Sequence, residues 1–125
     1  MNYLSLQPWK NVIASSSIDS DRIHVGDATS VSLQISGALS GASYPYGTLS
    51  LQVANIGKDI FALTQSVAWT TVASSSVAIS GSAVAGSGEP VFYDLPTVTA
   101  EYLRIKFVAT AGSKGTLSAV VHKKQ

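Results

Sequence analysis

Apolar and polar residues alternate one for one over four stretches of the chain. Over 30–36, Val31, Leu33 and Ile35 alternate with Ser32, Gln34 and Ser36. Over 48–54, Leu49, Leu51 and Val53 alternate with Ser50 and Gln52. Over 101–109, Leu103, Ile105 and Phe107 alternate with Arg104 and Lys106, and over 116–123 the series is Leu117, Ala119 and Val121. Successive side chains of a strand point to opposite faces, so each stretch predicts a strand with one buried and one wetted face. Weaker strand signals lie at 11–17, 22–25, 69–73, 77–79 and 91–95. Gly-rich or Asp-rich turns separate them, at 26–27, 37–47, 55–59, 81–88 and 112–115. The connection Ala111-Gly112-Ser113-Lys114-Gly115 between two alternating stretches predicts a hairpin, with the last two strands paired.

About eight short strands with little helix must stack as two sheets or close on themselves. The expected architecture is all-β: a single two-sheet antiparallel β-sandwich of jelly-roll type. An immunoglobulin-like sandwich is the alternative. Residues 1–28 supply an N-terminal arm and the first strands of the same domain, and 29–125 its body. The one helical candidate is 59–68, where Ile60, Phe61, Leu63 and Val67 suit either one helix face or a loop that plugs a core. The stretch 73–88, rich in Ser, Ala and Gly, is expected to give a poorly specified strand and a loop.

Composition adjusts this picture. Charged residues are only 12% of the 125, about half the usual share. Ser and Thr take their place, 20 and 9 residues, so the surface is polar without being charged. The net charge of +1 gives no electrostatic footprint for nucleic acid. The one basic run, His122-Lys123-Lys124, is expected to be a solvated tail. With no Cys, disulfides and thiolate sites are excluded. The N-terminal residues lack the charged start and apolar stretch of a signal peptide, and no apolar run approaches the roughly 20 residues that span a bilayer. Synthesis and folding in a cytoplasm are therefore expected.

Candidate chemistry is sparse. The two histidines, His24 and His122, are far apart, and no Gly-x-Ser-x-Gly elbow frames a serine, which argues against a triad. Two histidines without cysteine make a poor zinc set. Asp19, Asp21 and Asp27 suit either a calcium loop or, by preference, turns in which Asp caps its own backbone. No pair of acids is marked out for glycosidase chemistry. The sequence therefore points away from an enzyme and from any cofactor or metal, with a hydrolase of unfamiliar site as the remote reading.

Surfaces remain. An arm with Leu4, Leu6, Pro8 and Trp9 is too apolar to float free and should pack on its own sandwich or on a neighbour. Tyr44 and Tyr46, in a Gly-rich connection, suit an interface, a cap on the sandwich end or, less readily, a sugar. Trp69 is expected in the core. The candidate interface residues are Leu4, Leu6, Trp9, Tyr44, Tyr46, Lys123 and Lys124.

The stretch Gly47-Thr48-Leu49-Ser50-Leu51-Gln52-Val53-Ala54-Asn55-Ile56-Gly57 resembles the G-T-x-x-V-Q-V-S-N-D-G strand of small β-sandwich structural proteins of tailed bacteriophages and prophages. Trp69-Thr70-Thr71-Val72 resembles the Trp-Thr segment that follows, here after an intervening 58–68. The ending from Tyr102 to Ala119, with Tyr102-Leu103-Arg104-Ile105-Lys106-Phe107 and Gly115-Thr116-Leu117-Ser118-Ala119, is similar to their closing strands. The likeness spans about 29–121 and extends to discoidin-like sandwiches. It implies a virion component, a decoration or minor capsid protein or a tail part. Such a protein would be made in the host cytoplasm and would assemble by shape and edge contacts with itself, as a homo-oligomer such as a trimer, and with other virion proteins. The alternative it leaves open is a tail- or fibre-associated carbohydrate-binding module for host recognition. It supplies no catalytic residues.

Overall fold

A computed structural model of the chain describes residues 3–38, 45–55, 68–80 and 91–125. Ten strands lie among them: β1 (Tyr3–Ile13), β2 (Ile18–Asp19), β3 (Ile23–His24), β4 (Ser30–Ala38), β5 (Tyr46–Ala54), β6 (Thr70–Thr71), β7 (Val77–Ser80), β8 (Val91–Leu95), β9 (Tyr102–Ala109) and β10 (Thr116–Lys124). They form two antiparallel sheets. One is four-stranded in the order β1-β10-β4-β8. The other is six-stranded, in the order β2-β9-β5-β6, with β3 also on β9 and β7 also on β5.

The six-stranded sheet has four strand positions. The short pieces β2 and β3 both run along β9, at Ile18↔Phe107 and Ile23↔Leu103. They are two halves of one broken edge strand. On the other edge, β6 and β7 run along β5, at Val53↔Thr70 and Leu49↔Val77. Counted this way, the chain crosses between sheets repeatedly: β1, then β2–β3, β4, β5–β7, β8, β9 and β10. That order is the double Greek key of a jelly roll, with four strands per sheet.

The alternation builds the core directly. Val31, Leu33 and Ile35 of β4, Leu117, Ala119 and Val121 of β10, Leu49 and Leu51 of β5, and Leu103, Ile105 and Phe107 of β9 all face inward and are buried. Facing inner layers interdigitate to fill the space between sheets. Phe107 is the bulkiest of the fully buried side chains. Deleting such a ring costs about 3–5 kcal/mol, through lost transfer energy and the cavity left behind.

Two sequence expectations change. The final two long strands do not form a hairpin: β9 lies in the six-stranded sheet and β10 in the four-stranded one. Residues 110–115 are thus a crossover between layers. Alternation reports which side chains are buried, not which layer holds them. Second, the first strand spans 3–13 rather than 11–17, paired with β10 from Tyr3↔Lys124 to Ile13↔Thr116. The helical candidate at 59–68 lies almost wholly outside the described residues.

Serine hydroxyls repair the broken edges. At the gap between β2 and β3, the Ser20 N–H donates to the Ile105 carbonyl and the Ser20 Oγ accepts from the Ile105 N–H, both at 2.8 Å. At the gap between β6 and β7, the Ser75 Oγ accepts from the Leu51 N–H at 3.1 Å and donates to the Val72 carbonyl at 2.7 Å. Central-strand amides that would otherwise be buried without partners are satisfied by side chains. Ser113 ties one end of the sandwich, accepting from the Tyr46 N–H and donating to the Ala14 carbonyl.

Candidate assembly surfaces

The expected interface residues divide sharply. Trp9 is 3% exposed and sits in the core, so the arm packs on its own sandwich. Lys123 is 4% exposed. It continues the inward-facing series of β10 past Val121, and its ammonium donates to the His24 carbonyl at 2.8 Å and to Asp27 Oδ1 at 3.0 Å. The basic run is therefore the end of a strand rather than a solvated tail. Neither residue offers its side chain to a partner. Leu6 is half-buried against the core, while Leu4 is exposed. Tyr46 is half-buried in the first position of β5, lining a shallow depression with Gly47, Thr110 and Gly112. Lys124 is half-buried, and its carbonyl accepts from Thr29. Tyr44 lies outside the described residues.

Edges are poor contact surfaces in this fold. An unbroken edge strand is a template for pairing with another chain, and proteins blunt such edges with prolines, bulges and short strands. β1 carries Pro8 and two register shifts, between Leu6 and Trp9 and between Trp9 and Val12. At the second shift Asn11 adopts a left-handed backbone, φ 51°, which asparagine tolerates well. β8 is only five residues long, and both edges of the other sheet are broken. Each of the four sheet edges is thus shortened, broken or bulged.

The two outer faces differ in chemistry. On the six-stranded sheet, the Arg104 Nε donates to Gln52 Oε1 at 2.7 Å, its guanidinium lies 3.6 Å from the Asp19 carboxylate, and Trp69 stacks 4.6 Å from it. Arg22 and His24 both pack on the Tyr102 ring, each at 5.3 Å. Trp69, expected in the core, is thus a half-buried lid over Arg104. Gln52 and Ser50 beneath are buried polar residues. This face satisfies its own polar groups.

The outer face of the four-stranded sheet is sparsely charged and partly apolar. Across one row, Val120 pairs with Gln34 and Gln34 with Phe92. Val120 is 44% exposed and Phe92 62%. The next row holds Ser118 and Ser36, and the last Ile13, Thr116 and Ala38. On the other side, Ser5, His122, Ser32 and Asp94 form a polar row, with the Ser5 Oγ 3.1 Å from His122 Nδ1. Among the outward positions of β4, β8 and β10, formal charge is confined to Asp94 and Lys124. A neutral face with two apolar anchors loses little on desolvation, as interface centres require.

The two ends also differ. At one, Ile13, 68% exposed, closes the last outward row of the four-stranded sheet, and Lys114 of the 110–115 crossover is exposed. At the other, an apolar cleft of about 360 Å3 opens between the sheets, with Val53, Val72, Leu95, Val98 and Leu103 among its lining. A shallower depression holding Asp27 and Glu101 adjoins it through Val98 and Ala100. Lys123 holds the Asp27 carboxyl below the ordinary carboxylate value of 3.8. Among the described residues no group of three or more His, Cys, Asp or Glu sits close enough to hold a metal ion. No helix there is long and apolar enough to cross a membrane.

Sequence signals did not single out Ile13, Phe92, Val108 or Val120, which with Leu4 are the exposed large apolar residues among those described.

No protein-family model matches the chain, and no curated protein matches it. Among solved structures, the fold resembles the crystal structure of the SPBc2 prophage-derived protein YomS. The TM-score is 0.58 at 13% identity, over 98% of this chain and 94% of that one. The likeness shows a shared fold along almost the whole of both chains.

Proposed function

We propose that this chain is a non-enzymatic structural component of a phage or prophage particle, most in keeping with a capsid decoration or minor capsid protein. In this reading it assembles, with itself and with other virion proteins, through the neutral outer face of its four-stranded sheet. The observation that carries the reading is the fold it shares with a prophage-derived protein over nearly its full length. The surface chemistry supports it. A protein that works by repeated contact needs a rigid body, blunted edges and a face that is cheap to desolvate. Placed ionisable groups here serve the fold: Lys123 and Asp27 close one end, and Asp19 and Arg104 staple one sheet.

The test is the mass of the purified protein in solution, measured by size-exclusion chromatography with light scattering. The unmodified chain is expected to self-associate. Phe92→Arg, and separately Val120→Arg, put an uncompensated charge in the middle of the face and are expected to lower the mass while leaving the thermal melt nearly unchanged. A strictly monomeric protein that also fails to bind phage particles would refute the proposal.

A further inference from the structure

The outer face of the four-stranded sheet carries one histidine. His122 stands on β10 in the row Ser5, His122, Ser32 and Asp94, next to the row of Val120, Gln34 and Phe92. Rows two residues apart along a strand are separated by about 7 Å. β4 and β10 are each nine residues long, so four strands about 4.8 Å apart give a face of roughly 20 by 30 Å. A stable interface takes about 800 Å2 from each partner. A contact centred on Phe92 and Val120 therefore covers His122 as well.

Few charges surround this histidine. β1 places Ser5 beside it, with the Ser5 Oγ 3.1 Å from His122 Nδ1. A hydroxyl both donates and accepts, so Ser5 serves either protonation form of the ring. β4 places Ser32 on the other side. Asp94 of β8 is one strand further, about 10 Å from His122 by strand spacing, which is a Debye length at 0.1 M salt. Along β10 the outward neighbours are Val120 and Lys124, and Tyr3 of β1 pairs with Lys124. With a neutral imidazole, the charges of Asp94 and Lys124 cancel across the outward positions of β4, β8 and β10. A protonated ring leaves those positions with a net positive charge, close to Lys124.

We infer that His122 gates self-association by pH: two copies join through this face while the imidazole is neutral and part when it is protonated. The inference rests on the reading above that the face joins copies of the chain. A face that meets its own copy forms an isologous contact, so both partners gain the charge together. Like charges brought face to face, and imidazolium ions taken out of water, then oppose the contact. Histidine is the side chain whose ordinary charge change falls between pH 5 and 8, and carboxylates generally stay ionised across that range. The other histidine, His24, lies on β3 of the second sheet and takes no part.

Light scattering after size-exclusion chromatography at pH 7.5 and at pH 5.5 tests it. The unmodified chain is expected to lose mass at pH 5.5. Its dissociation constant should rise at least about tenfold, since histidine side chains are mostly protonated one unit below their usual value near 6.5. His122→Gln keeps a neutral polar side chain and is expected to hold its mass at both pH values, while His24→Gln follows the unmodified chain. Circular dichroism at both pH values checks that every chain stays folded. An unmodified chain that associates equally at both pH values, yet is made monomeric by Phe92→Arg, overturns the gating and leaves the face standing. Dissociation of His122→Gln at pH 5.5 to the same extent as the unmodified chain also overturns the gating. A chain that is monomeric at both pH values removes the face contact and the gating with it.

Discussion

Ser20 and Ser75 each supply a hydroxyl where an edge strand breaks, and each is buried with its partners on a central strand. Removing either hydroxyl leaves a buried amide unpaired, which costs about 1–3 kcal/mol. Ser75→Ala is expected at the upper part of that range, since the Ser75 hydroxyl bonds both Leu51 and Val72. Urea titration of the two variants checks this. Burial pushes the Tyr93 hydroxyl up to about 12 from 10.0. A raised folded-state value gives stability that is complete below 10.0 and lost as pH rises toward 12. Alkaline unfolding of the native chain is thus expected to begin earlier than that of Tyr93→Phe, provided the Phe variant folds. Asp27 has the opposite sign. Its value is lowered chiefly by the bond from Lys123, so its contribution is present above 3.8 and fades as pH falls through the depressed value. Asp27→Asn is expected to flatten that acid limb in melts recorded above and below 3.8.

At the scale of elements, the 110–115 crossover depends on Gly115. Its φ is +86°, and a Cβ there would meet the Ala38 carbonyl. Gly115→Ala is expected to cost about 1–3 kcal/mol, as strained left-handed positions do, read as a lowered urea midpoint. The central strands β4, β5, β9 and β10 were legible from sequence because each is long enough for alternation to show and each carries polar residues along its outward face. Their layer was not legible. A Gly-Ser-Lys-Gly connection has hairpin composition whether it turns within a sheet or crosses between two. Edge pieces of two residues, such as β2 and β6, are too short for any period to register. Lys123 was misplaced because its charge outweighed its inward parity in β10, which only the partners Asp27 and the His24 carbonyl explain. Trp69 was misplaced because its size suggests core, whereas Arg104 draws it onto the outer face. Trp9 and the Leu6 contact were half legible: apolarity showed that the arm must dock, but not on what.

The whole molecule sets a self-satisfied, charged face against a neutral one. Arg104, Asp19, Gln52 and Trp69 bind one another on the first, while Phe92, Gln34 and Val120 stand in an open row on the second. With all four edges interrupted, shortened or bulged, that second face is the one on which the proposed self-contact relies. The chain has no cysteine, so a single introduced thiol reports solvent access cleanly. The direct measurement is the maleimide labelling rate of Gln34→Cys, at the centre of the neutral face, against Thr48→Cys on the opposite face. The account predicts that the Gln34→Cys thiol is several-fold slower to react than it becomes when Phe92→Arg is added, while the Thr48→Cys rate stays the same in both backgrounds. Equal labelling of Gln34→Cys with and without Phe92→Arg would contradict it.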